Sequence, residues 1–178
     1  MKKAHFSLEN TVKYLVLLFG LSIFLSKIGI EALDPTQIAW VKRLGGDGHT
    51  EYNSWLYYRF SAWHFPVIGA MEGYDYPPKT GVGLTGAIPL LAMPLKTFSA
   101  WLPDEFQHFG WWFLLCYVLQ AYFGWQLMRV LLPKNAVILR GVSSLFFALS
   151  APLLWRIGYI NLSSHFLILA AFWVYFSP

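Results

Sequence analysis

Long apolar runs alternate with short polar joints along this chain. The first run, Val12–Ile30, is about 20 residues long, and at about 1.5 Å rise per residue it crosses a hydrocarbon layer roughly 30 Å thick. Lys2, Lys3 and Lys13 precede it, and Lys27 stands near its far end, where it can snorkel to the interface. A signal peptide also begins with positive charge, but this run exceeds an ordinary h-region and no A-x-A-type site follows. The expectation is an uncleaved first helix with its N-terminus inside. Residues 109–132 and 137–155 read as further spans, and a last one opens over 165–178. Residues 31–108 then form an extracytoplasmic loop rich in Trp, Tyr, Gly and Pro, the composition of a segment lying at headgroup level.

Within that loop, Ser54–Ala62 is a candidate interfacial helix that brings Trp55, Tyr58 and Arg59 together at i, i+3, i+4. Tyr74–Lys79 reads as a turn, because paired prolines resist helix. Val82–Leu95 is apolar but short, broken by Pro89 and Pro94 and closed by Lys96. That suits an interfacial or re-entrant segment better than a span. Pro103-Asp104-Glu105 reads as a start signal for the next helix. Two topologies follow. If Val82–Leu102 crosses, Arg129, Lys134 and Arg140 fall outside. If it lies on the surface, they fall inside, as the positive-inside rule prefers, and Trp155–His165 returns to the side of Asp47.

Composition sharpens this picture. The chain of 178 residues is 57% hydrophobic and 19% aromatic but only 12% charged, against about a quarter charged in a soluble domain. The fold class expected is all-α, a multi-pass transmembrane helical bundle with juxtamembrane helices in its first extracytoplasmic loop. The net charge of +4 is scattered, which argues against nucleic-acid binding. The single cysteine, Cys116, excludes an intrachain disulfide and a cysteine-based metal site. The chain ends inside an apolar run, so an N-terminal fragment of a longer protein is expected, inactive alone.

Candidate chemistry concentrates in Asp47–Pro66, between the first run and the rest. Asp47 sits among glycines that allow tight backbone paths. A carboxylate there serves as an Asx-turn, as a general base, or as a ligand for a divalent cation. Asp47, His49 and Glu51 share one side of an extended chain but diverge on a helix. As a zinc motif the trio is weak; magnesium or manganese on Asp47 with phosphate oxygens is the more plausible metal. Arg59 fits a phosphate or a snorkelling role. His64 reads as interfacial packing. Arg156 and His165 flank a short loop at two span ends, where charge marks either the ends themselves or a site. Lys79 and Lys96 are placed to meet anionic headgroups. Gln107, His108 and Gln120 read as structural groups satisfied between helices.

WLYYRFSAWHFPVIG, TGAIPLLAMPLK, FQHFGWWFLLCYVLQAYFGWQLM and RIGYINLSSHFLIL, taken in this order, resemble the bacterial membrane family called domain of unknown function 6311. That family is similar in turn to GT-C membrane glycosyltransferases. The resemblance implies an extracytoplasmic site at a bacterial inner membrane, a polyprenyl-phosphate sugar donor, and a glycan, lipid or protein acceptor. It implies Asp47 as the early-loop acid, with Arg156 and His165 as the family's Arg and His of the later outer loop; with Asp47 as catalytic base, Arg59, Arg156 and His165 are the candidates for substrate phosphate. His49, Glu51 and Lys79 are auxiliary candidates. Two departures stand out: no acidic residue in Thr85-Gly86-Ala87, and Tyr159 where a second His is expected. They keep a rival open, a non-catalytic membrane subunit or carrier in polysaccharide or lipid export.

Overall fold

The computed structural model describes residues 8–44, 47–75, 77 and 80–178. The helices are α1 (Leu8–Lys27), α2 (Ala39–Arg43), α3 (Gly48–Phe60), α4 (Pro89–Thr97), α5 (Phe109–Leu131), α6 (Val137–Ala148), α7 (Ala151–Trp155) and α8 (Phe166–Phe176). Short 3-10 turns stand at Ile30–Leu33, Val82–Leu84, Ser99–Trp101 and Ile160–Ser163. Among the described residues the only strand pairing is antiparallel, β1 (Ala70–Met71) with β2 (Thr80–Gly81). The chain divides into two compact units.

One unit holds Met1–Gly29, Trp112–Trp155 and Ser163–Pro178. Its α1 ends where Gly29 adopts φ 98° and the Ile28 and Gly29 N–H groups both bond to the Phe24 carbonyl. Only glycine reaches that backbone region without strain. α1 lies tightly on α5, because a Cβ at Gly20 would meet the Tyr117 carbonyl and the Ala121 methyl at 2.9 Å. It lies equally close to α6, where Gly141 faces Val12. Pro152 has no N–H to offer the Ala148 carbonyl, so residues 137–155, expected as one helix, split into α6 and α7.

Charge fixes the directions of these helices. Glu9 Oε1 accepts Arg129 Nε at 2.9 Å and stands 3.9 Å from Arg140 Nη1. The start of α1, the end of α5 and the start of α6 therefore share one end of the unit. On α8, Phe166 lies 6.2 Å from the Trp112 ring and Trp173 lies 5.8 Å from the Phe123 ring. So α8 runs alongside α5, antiparallel to α1 and α6.

Among the described residues two segments, Leu8–Lys27 and Val137–Trp155, are long and apolar enough to cross a membrane by length and composition. That is fewer than the four spans expected from the apolar runs. α5 has the length, at 23 residues, but Gln120, Gln126 and its Trp and Tyr residues dilute its hydropathy. α8 is shorter, at 11 residues.

The second unit holds Ile30–Trp111 and Arg156–Leu162. Trp55, Tyr58, Met71, Phe106 and His108 form its core. Trp55 Nε1 donates to the Phe106 carbonyl at 2.9 Å, and its ring meets the His108 ring edge-on at 4.9 Å. Gln107 Nε2 donates to the Ala32 and Asp34 carbonyls, while its Oε1 accepts the Gly110 N–H. Nothing in Val82–Leu102 is long enough to cross a bilayer: its longest helix, α4, has 9 residues. Pro103–His108 runs as a connection, and α5 begins only at Phe109.

Candidate functional site

The site grows from the first turn of α3. This helix starts at Gly48, earlier than expected, and ends at Phe60. The Asp47–Glu51 stretch is therefore helical rather than extended. His49 points outward and is exposed, whereas Glu51 is only 3% exposed. Asp47 and Glu51, four residues apart, share a face, and the Asp47 carbonyl accepts the Glu51 N–H at 2.8 Å. The Asp47 side chain is exposed and makes no cap hydrogen bond.

Both acidic residues meet the segment Arg156–Leu162. The Asp47 N–H donates to the Gly158 carbonyl at 2.9 Å. Glu51 Oε2 accepts the Ile160 N–H at 3.1 Å, and Oε1 accepts the Asn161 N–H at 3.4 Å. Glu51 thus caps a turn of Ile160–Ser163 whose leading N–H groups have no partner within it. Gly86 closes the third side, since a Cβ there would overlap the Glu51 side chain. Burial raises the Glu51 carboxyl from its ordinary 4.5 to about 7; the two N–H donors oppose the rise and the Asp47 charge adds to it. At neutral pH this carboxyl shuttles between its two forms. Arg156 stands at the head of the same segment, exposed, its carbonyl accepting the Tyr159 N–H.

The other candidates lie elsewhere. Arg59 is 3% exposed, and all five of its N–H groups are engaged. They reach Ser99 Oγ and the carbonyls of Ser99, Leu102, Pro103 and Asp104 at 2.6–3.1 Å. Its guanidinium ties α3 to the chain after α4 and has no donor left for a phosphate. Lys96, expected at headgroups, is also buried. Its Nζ bonds to Ser61 Oγ and the Ala62 carbonyl and sits over the Tyr58 and Trp63 rings at 4.2 and 4.7 Å. His165 is the N-cap of α8 and belongs to the other unit. Lys79 lies outside the described residues, as does the Gly45-Gly46 pair.

The fit to a divalent cation is poor. Among the described residues no three of His, Cys, Asp and Glu come together. Glu51 already gives both oxygens to backbone N–H groups, which leaves Asp47 as the one available carboxylate at this site. His108, by contrast, is structural. Its Nε2 carries the proton and donates to the Ala87 carbonyl at 2.9 Å, and burial lowers its pKa to about 4.

Glu51 is the residue that sequence reasoning undervalued. The signal was present: Asp47 and Glu51 stand at helical spacing, ahead of an unbroken helical stretch. No curated protein and no solved structure matches the chain. A family model does, over residues 17–178, and the chain accordingly belongs to the family described as domain of unknown function (DUF6311).

Proposed function

We propose that the chain is the site-bearing part of a multi-pass bacterial inner-membrane glycosyltransferase of GT-C type, its N-terminus cytoplasmic, acting on a polyprenyl-phosphate-linked sugar. One observation carries the reading. An exposed acid, Asp47, is tied through its own backbone and through Glu51 to the segment that bears Arg156. In this mechanism Asp47 takes the proton of the acceptor hydroxyl. The acceptor oxygen then bonds to the anomeric carbon, the bond from that carbon to the lipid phosphate oxygen breaks, and Arg156 stabilises the departing phosphate. No step passes through a metal. Glu51 holds the Arg156 segment in register with Asp47 and is a positioning residue.

The acid missing from Thr85–Ala87 bears on this reading. Gly86 lies against the Glu51 side chain, so a carboxylate still occupies that neighbourhood, supplied from α3. The membrane setting is supported by the two helices able to cross, each with only 28% of its apolar window buried.

The engagement of Arg59 favours the rival, a non-catalytic subunit or carrier, to the extent that one phosphate ligand is withdrawn. Asp47→Asn decides between them. In membranes supplied with polyprenyl-phosphate sugar, the variant should lose glycan transfer by about a hundredfold or more, the scale of a general base, while keeping donor binding. Transfer equal to wild type removes the catalytic role, and donor binding without turnover in the wild type establishes the carrier.

A further inference from the structure

The unit containing α1, α5, α6 and α8 has a polar cavity of about 480 Å³ at the end where these helices meet Glu9. Arg129, Lys134, Arg140, Gln126, Glu9 and Trp173 line it. Among the described residues three cations face one carboxylate there, and that carboxylate is 41% exposed. Arg129 is held in place: its Nε bonds to Glu9 and its Nη1 donates to Gln126 Oε1 at 2.9 Å. Lys134 is exposed and has no side-chain partner among the described residues.

Arg140 is the unusual member. Its side chain is 3% exposed, and Nη2 donates to the Leu132 carbonyl at 2.7 Å. Its Nε is buried without a hydrogen-bond partner. A buried donor without an acceptor is costly, and more so on a charged group. A phosphate oxygen would satisfy it, and guanidinium groups match phosphate geometry.

The surroundings narrow the source of that phosphate. Leu131, Ile138 and Leu139, next to the cavity residues in the chain, are 47%, 60% and 54% exposed. A charged recess beside exposed apolar side chains suits a headgroup with acyl chains better than a free ion. We propose that this cavity binds the phosphate of an anionic membrane lipid at the end of the bundle opposite the Lys27 end of α1. Arg129 and Lys134 meet the phosphate from the mouth, and Arg140 meets it from within. Glu9 aligns Arg129 and limits the affinity.

The test uses the purified protein in nanodiscs of phosphatidylcholine alone or mixed with phosphatidylglycerol, with retained lipid counted by native mass spectrometry. Wild type should retain phosphatidylglycerol in preference to phosphatidylcholine. Lys134→Gln, at an exposed and unpartnered position, should weaken retention several-fold, and Lys134→Gln with Arg129→Gln by about tenfold or more, as expected for two basic contacts at a membrane surface. Glu9→Gln should strengthen it. Retention unchanged by Lys134→Gln and unimproved by Glu9→Gln overturns the site. Displacement of the lipid by millimolar inorganic phosphate overturns the lipid assignment in favour of a free phosphate ligand.

Discussion

A carboxyl that titrates near neutrality makes the stability of its surroundings depend on pH. Glu51 binds its proton more tightly when folded than when unfolded, with a pKa raised from 4.5 to about 7. Between these values the folded state holds the extra proton, so stability falls as pH rises through that window and levels off above it. Glu51→Gln keeps the shape and stays neutral. Its denaturant midpoint in detergent should show no decline between about pH 4.5 and 7, with a value above wild type at pH 8. An unchanged pH profile would mean that Glu51 is not the titrating group. The individual roles of charged residues were hard to read ahead of folding. Arg59 stood in an aromatic stretch and Lys96 at the close of an apolar one, as ligand-binding and snorkelling cations both do. Their burial depends on carbonyls and hydroxyls 34 to 45 residues away in the chain, and no local pattern reports those partners.

Among the elements, the apolar runs located the helices and missed their breaks. The expected 12–30 run is observed at Leu8–Lys27, and 109–132 at Phe109–Leu131. The stretch after Val82 was legible as short and proline-broken, because proline spacing and length are local properties. The α6–α7 break was equally local, through Pro152, but continuous hydrophobicity concealed it. The close contact of α1 with α6 was not legible, since Gly141 could have served many purposes in an apolar helix. A Cβ at that position runs into Val12 Cγ1. Gly141→Leu should therefore destabilise the protein by about 1–3 kcal/mol, the ordinary penalty of overpacking, readable as a lower thermal midpoint in detergent. Ile138→Ala, on the exposed face of the same helix, should shift it little.

At the scale of the whole molecule, the ion pair between Glu9 and Arg129 sets the path of the chain. It places the end of α5 beside the start of α1, so these two helices run in opposite directions. In a membrane, the Arg129–Arg140 connection then shares a side with the start of α1, and the Lys27 end of α1 lies on the other. Single cysteines replacing Asn135 and Lys27, both exposed, in a Cys116→Ala background, should label from opposite faces of sealed vesicles; labelling from the same face would refute this path. Hydrophobic periodicity and proline positions were enough to establish a helical chain, the places of its long helices and a polar segment containing Asp47, because each depends on residues close together in sequence. Which acid is buried, which arginine is engaged and which loop Asp47 meets came only with folding. Those outcomes depend on desolvation and on backbone donors contributed from more than a hundred residues away, as the bonds from Ile160 and Asn161 to Glu51 show.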